Sequence, residues 1–357
     1  MSGSTIQFTG LKRQYNNLRT EILDATDRVL SSGCLMDGES TSIFELWLAI
    51  KNSVSYAAVC HSGTQALEII ASYARQRMGI NPPTIVIPSM TFPASANAFV
   101  RAGWNLYFAD TDAYGIMDVS KVDRTQTYQA VLGIGLYGAA LPPHMQRQVG
   151  LIEDAAQHWL ANDCDRWGVG AAISFDPMKN LGNYGNGGAV VTNDVELYNY
   201  ARGWCNNGKS TAHAEIGTNS RMSEVDCAQL MVKAQYLNEW QARRKQIASY
   251  WIYKFKDAPI RCLINETNFD KHCFHKFVID IDNRDEVAAK LKERGIETKV
   301  HYAHPLHELP AYQHYQGPDM LSAASSLSRR CLSLPIYPEL TDAEVEYIAS
   351  SLLDCVS

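Results

Sequence analysis

The sequence predicts an α/β fold: a large domain with a mostly parallel central sheet flanked by helices, followed by a smaller C-terminal α+β domain. Three observations predict it. Helix-period segments and short apolar, strand-length segments alternate through the first half of the chain. A long helical stretch then covers residues 222–256. Beyond it the pattern changes to fewer, shorter strands and helices.

The elements follow in chain order. Residues 17–31 space their apolar side chains by three and four, and Ser32-Gly33 end the run. Residues 65–78 predict a second amphipathic helix. Strand-length runs rich in β-formers and bounded by turn residues follow at 84–89, 105–110, 128–138 and 150–155. Two further strands at 172–175 and 188–194 flank a glycine-rich loop. After the helical stretch come a strand at 274–281, a helix at 284–294, an extended segment at 298–303 and a final helix at 341–353. A boundary near residue 245 gives domains 1–244 and 245–357.

Composition narrows the function classes. With 46% hydrophobic and 20% charged residues in 357, the chain has ample material for a core. The formal net charge is -6 and no basic stripe stands out, so no nucleic-acid partner is expected. Nine cysteines without a C-x-x-C pair suggest free thiols in a reducing compartment. The polar N-terminus and the lack of any run of about 18 apolar residues lead to the expectation of a cytoplasmic protein with no membrane partner.

Two motifs match nucleotide-binding patterns but sit in the wrong context. GIGLYG at 133–138 fits G-x-G-x-x-G, yet Pro142 and Pro143 follow where a helix should open. GWCNNGKS at 203–210 fits the P-loop, yet the preceding segment is helical rather than a strand.

Four other segments carry chemistry together. In HSGTQALEII (61–70) small residues precede a helix, so exposed amides and the Thr64 hydroxyl form an anion site; N-capping by Ser62 or Thr64 fits as well. LIEDAAQHW (151–159) ends a strand in Glu153-Asp154, where ligands of α/β sheets bind, although such acids also cap turns. In ISFDPMKNLGNYGNGGAVVTND (173–194) Lys179 lies between a strand and a glycine-rich stretch. Held in a pocket, its amine could attack a carbonyl; the ordinary alternative is a solvated loop lysine. Phe92, just past a strand end, could stack on a planar ligand or pack in the core.

These pieces resemble the DegT/DnrJ/EryC1/StrS family of PLP-dependent sugar aminotransferases, of PLP fold type I. The matching motifs run in the family's order: S-G-T-Q-A-L at 62–67, P-S-M-T-F at 88–92, E-D-A-A-Q at 153–157, S-F-x-P-x-K-N-L at 174–181, G-G-A-V-V-T-N-D at 187–194, N-S-R-M-S-E at 219–224, H-Y-A-H-P-L-H at 301–307 and L-S-L-P-I-Y-P at 332–338.

The resemblance implies that Lys179 forms a Schiff base with pyridoxal 5'-phosphate (PLP) and later moves the proton. It implies that Asp154 pairs with the cofactor's ring nitrogen and that Gln157 bonds its 3-hydroxyl oxygen. Gly63, Thr64 and Ser174 would hold the phosphate, and Phe92 and Ala156 would cover the two ring faces. Asn219 would reach the phosphate of a neighbouring subunit, so a homodimer with shared sites is expected. Tyr302 and His307 are expected near the substrate side. The implied reaction carries an amino group from a donor, L-glutamate in most of the family, to a keto group of a nucleotide-linked deoxy sugar. Amination of a cyclitol or other non-nucleotide ketone, or a non-catalytic PLP-binding regulator, are the alternatives; a dehydratase of the family would carry histidine at Lys179. Gly135, Leu160 and Asn186 depart from the family pattern and leave the acceptor open. His272, His275, His301, His304 and His307 lack the spacing of a metal site, so no metal is expected.

Overall fold

The computed structural model describes residues 5–123, 125–161, 168–315, 317 and 321–356. Two long helices open it, α1 (Leu11–Ser32) and α2 (Glu39–Lys51). Gly33, at φ 69°, closes α1 in the left-handed conformation that glycine adopts without strain. Then β1 (Tyr56–Cys60), α3 (Gly63–Arg77), β2 (Thr84–Pro88), α4 (Pro93–Arg101) and β3 (Asn105–Ala109) alternate. They are followed by β4 (Ala130–Ile134), α5 (Pro143–Gln146), β5 (Leu151–Asp154), β6 (Ala171–Ser174), β7 (Gly188–Thr192) and α6 (Val195–Cys205).

These seven strands form one sheet in the order β1-β7-β6-β5-β4-β2-β3. Pairing is parallel from β3 through β2, β4 and β5 to β6, while β7 runs antiparallel to both β6 and β1. Strands such as AVLGI and GAVVT are buried throughout, which is why they read as continuous apolar runs and not as alternating ones. Parallel pairing brings Asp154 at the end of β5 and Ser174 at the end of β6 to the same edge of the sheet.

The second half holds α7 (Glu224–Ala234), α8 (Leu237–Phe255), β8 (Arg261–Cys262), β9 (Phe277–Asp280), α9 (Arg284–Glu293), α10 (Ser322–Arg330), β10 (Cys331–Leu334) and α11 (Asp342–Val356). A three-stranded antiparallel sheet, β10-β9-β8, organises it. Its core joins Trp251, Phe255, Phe277, Leu291 and Ile348, and also takes Ile6 from the N-terminal segment. Leu237 and Trp240 of α8 pack with the first helices and the large sheet, whereas Ile247 to Phe255 pack in the C-terminal core. The proposed division near residue 245 lies between these two groups.

Three expected elements differ. The stretch 222–256 is two helices, separated by turns in which Gln235 and Tyr236 bond three residues back to Val232 and Lys233. The break lets α8 leave the core that it shares with α7 and enter the second one. The strand expected over 128–138 stops at Ile134, because Tyr137 takes φ 63° and gives its amide to the Gln157 side chain. Residues 298–303 form a single bridge, Lys299 with Ser333, before the chain turns toward the large sheet. The eight cysteines among the described residues are free thiols, and Cys164 lies outside them. Among the described residues no helix is long and apolar enough to cross a membrane.

One carboxylate ties the two halves. Asp110, buried just after β3, accepts the amides of Ala323 (3.1 Å) and Ala324 (2.9 Å) in the first turn of α10. Its own helix offers those amides no other cap. Asp110→Ala is expected to destabilise the fold by about 1–3 kcal/mol, the cost of orphaned buried donors, read as a lower urea unfolding midpoint.

Candidate active site

The cleft begins at the turn from β1 into α3. Ser62 caps α3, its hydroxyl accepting the Gln65 amide at 3.2 Å. The turn is pressed against β6 and β7 so closely that only glycine fits. A Cβ at Gly63 would lie 2.7 Å from the Ser174 Cβ, and one at Gly188 would lie 2.3 Å from the Ser62 carbonyl carbon. The α3 N-terminus, the Thr64 side chain and the Ser174 hydroxyl thus share one end of the cleft, where free amides and the helix dipole favour an anion.

Asp154 stands at the end of β5, buried, with one carboxylate oxygen accepting the Ser95 hydroxyl at 2.6 Å and the other the Ala156 amide at 3.2 Å. Ser95 lies in the first turn of α4, so α4 fixes the orientation of the acid. Gln157 accepts the Tyr137 amide at 2.9 Å and donates to the Tyr302 hydroxyl at 3.2 Å. Phe92 precedes α4, is 55% exposed, and lies 5.8 Å from the Tyr302 ring between centroids.

Lys179 follows a tight turn after β6. The Asp176 side chain accepts the Met178 amide at 2.9 Å, and the Lys179 amide bonds back to the Asp176 carbonyl at 2.9 Å. Burial pushes the Lys179 amine below the ordinary lysine range, and the charges of Asp154 and Asp176 partly oppose this. Such an amine is neutral, and so nucleophilic, more often than a surface lysine.

A cleft of about 300 Å³ is lined by Gly63, Thr64, Phe92, Asp154, Ala156, Gln157, Ser174, Lys179 and Tyr302. The sequence reading named all of these. It also named His307 and Asn219, which lie elsewhere. His307 bonds the Ser89 hydroxyl through Nδ1 and the Ser325 hydroxyl at 3.2 Å through Nε2. Asn219 is exposed and its backbone bridges to Asn206. The cleft adds Asp176, His275, Lys276 and His301, which the sequence reading did not single out as site residues. For Lys276 a signal existed: a charged residue opening the apolar run FVIDI.

Of the three departures from the family pattern, Gly135 has a local explanation. At Gly135 a Cβ would lie 1.9 Å from the Ala139 carbonyl oxygen and 2.5 Å from His158 Cγ, and the buried His158 Nδ1 accepts the Gly135 amide at 3.0 Å. Asn186 lines the cleft, and Leu160 packs beside Ala161 and Cys273. The two nucleotide-like motifs stay ordinary: Leu136–Gly138 is a 3-10 turn, and Gly203 lies inside α6.

The model of the DegT/DnrJ/EryC1/StrS aminotransferase family matches residues 16–353. The chain belongs to this family. It is a PLP-dependent aminotransferase of PLP fold type I. Among its relatives is a dTDP-3-amino-3,4,6-trideoxy-alpha-D-glucose transaminase of Streptomyces venezuelae, 34% identical, with 94% of this chain and 92% of the relative covered. A pleiotropic regulatory protein of Geobacillus stearothermophilus is 31% identical, with 96% of each covered. The solved structure of S. venezuelae DesV in complex with a ketimine intermediate matches with a TM-score of 0.91 at 31% identity, covering 99% of both chains.

In this family member the glycine contact is testable. Gly63→Ala is expected to push the turn off Ser174. Overpacking of about 1–3 kcal/mol would weaken PLP binding by about tenfold or more, measured by titrating apoenzyme with PLP, while the far-ultraviolet circular dichroism stays unchanged.

Proposed function

We propose that this aminotransferase moves the amino group of an amino acid, L-glutamate, to the keto group of a nucleotide-linked deoxy sugar. The observation that carries the reading is Lys179, an amine with a lowered pKa, placed in one cleft with Asp154 and with the anion-binding end of α3. The sugar part is supported by the transaminase relative with which the chain shares 34% identity.

The residues present fit PLP. Gly63, Thr64 and Ser174 would hold the phosphate, at the turn where a Cβ has no room. Asp154, fixed by Ser95, would face the ring nitrogen and favour its protonated form. Gln157 has its oxygen taken by Tyr137 and one N–H given to Tyr302, which leaves its second N–H as a donor to the 3-hydroxyl oxygen. Phe92 and Ala156 would cover the ring faces. When bound, PLP supplies the electron sink that amino transfer requires. Lys179, when free of the cofactor, would take the proton from the donor's Cα as general base and give it up as general acid within the same half-reaction, and would work in the reverse sense on the acceptor in the second half.

The active unit in this reading is a homodimer whose sites are shared through Asn219. The exposed apolar side chains of α1 and α2 support it: Leu30, Leu46 and Ile50 are 56%, 62% and 69% exposed. Large apolar side chains left exposed on both helices are what an association surface needs.

Lys179→Ala is expected to lose both the visible absorbance band of lysine-bound PLP and its bleaching by L-glutamate; a band that persists unchanged would remove the role of Lys179. Asp154→Asn is expected to keep the fold and lower the transamination rate by about a hundredfold or more, followed as pyridoxamine phosphate formed. For the shared site, mixing Lys179→Ala with Asn219→Ala protein is expected to restore part of the activity, by pairing one intact site in the hybrid dimer.

A further inference from the structure

The wall of the cleft facing the large sheet comes from the C-terminal half of the chain, and it contains a cation that the reading above does not use. Lys276 immediately precedes β9, is 7% exposed, and lines the cleft with Lys179. Its amide is anchored to the Tyr137 carbonyl at 3.0 Å. Its ammonium lies 5.1 Å from the centre of the Phe8 ring, contributed by the N-terminal segment. Among its strongest electrostatic neighbours Lys179, Arg244 and Lys299 are cations, and only Asp176 is an acid. The Asp176 carboxylate already accepts the Met178 amide.

A buried ammonium facing this many cations is unfavourable unless an anion arrives. Burial, and then the charges of Lys179, Arg244 and Lys299, push its pKa well below that of an ordinary lysine. The other basic groups nearby either are already hydrogen-bonded or do not line the cleft. Arg244 donates to the Phe274 and Ile336 carbonyls at 3.2 and 2.7 Å. His275 faces Asn180, His301 faces Ser333, and burial lowers the pKa of both imidazoles, that of His301 to about 3. Lys299 is exposed and does not line the cleft. Among the described residues, Lys276 is therefore the basic group of this wall that has no hydrogen-bond partner and is free for a ligand.

Position decides which anion. The donor's amine must reach the Lys179 nitrogen, and in an α-amino acid the carboxylate is one carbon from the amine-bearing carbon. Lys276 lines the same cleft as Lys179, and an arriving carboxylate would hold the proton that burial otherwise costs its amine. The α3 end of the cleft has its own helix N-terminus and hydroxyls for phosphate. We propose that Lys276 binds the α-carboxylate of the amino-acid donor. The proposal deepens the aminotransferase reading of the cleft and rests on it.

The test uses the PLP-loaded enzyme and its visible band. L-glutamate and its α-amide, isoglutamine, are titrated against wild type, Lys276→Met and Lys276→Arg, and dTDP and UDP are titrated as probes of the phosphate end. Loss of a charge-assisted hydrogen bond predicts that Lys276→Met binds L-glutamate about ten- to a hundredfold more weakly. Lys276→Arg should recover most of that loss. In wild type isoglutamine should bind about tenfold or more weakly than L-glutamate, a difference that Lys276→Met should abolish. Affinity for dTDP and UDP should stay within about twofold. Wild-type glutamate affinity in Lys276→Met overturns the proposal. So does a loss for dTDP or UDP as large as that for glutamate, which would assign Lys276 to phosphate. If Lys276→Met does not fold, wild type alone still decides, since isoglutamine binding as tightly as L-glutamate overturns carboxylate recognition. Failure of the aminotransferase reading looks different: glutamate then leaves the wild-type band unbleached.

Discussion

An amine cannot be taken out of water without consequence, and the cleft is organised around that cost at Lys179. Burial lowers its pKa, while Asp154 and Asp176 supply just enough negative charge to oppose the effect without forming a salt bridge to it. A tight ion pair would have fixed the proton on the amine and removed its nucleophilicity. The acids are kept from closing on the lysine by other partners: Asp154 is held by Ser95 and the Ala156 amide, and Asp176 by the Met178 amide.

Sheet topology makes this arrangement possible. Parallel pairing sets Asp154 opposite Ala172, with Ser174 two residues further along the adjacent strand, and the antiparallel β7 brings Gly188 against the β1–α3 turn. The phosphate end and the acid are thereby fixed by the same rigid element. The opposite wall comes from beyond α8. Gln157 bonds Tyr302, and the Tyr137 hydroxyl donates to the His301 carbonyl at 2.5 Å, so the large sheet and the C-terminal half share hydrogen bonds across the cleft. Asp110 extends these links away from it.

The Gly135–His158 contact shows how a local change is absorbed. The imidazole of His158 fills the space beside Gly135 and takes its amide, and two residues further on the Tyr137 amide reaches Gln157. The change lies behind the acid-bearing strand end, at residues that do not line the cleft.

Much of this was determined by the sequence alone. Continuous apolar runs bounded by glycine and polar turns marked β2, β3, β5, β6 and β7, because strands buried on both faces have no polar side to confuse the pattern. The motifs around Gly63, Asp154 and Lys179 were legible because each depends on a few adjacent residues at one turn. Local pattern did not reveal α2 or β1, whose mixed or short apolar content gives weak periodicity. Nor did it place the break between α7 and α8, which depends on two separate cores competing for one helix. Only the tertiary structure decided which residues share the cleft: Lys276 and Tyr302 come from far along the chain to meet Lys179, while His307, within a motif that contains Tyr302, turns away to Ser89. Spacing along a chain fixes what a turn can do by itself, but a buried charge acquires its neighbours only when distant elements pack.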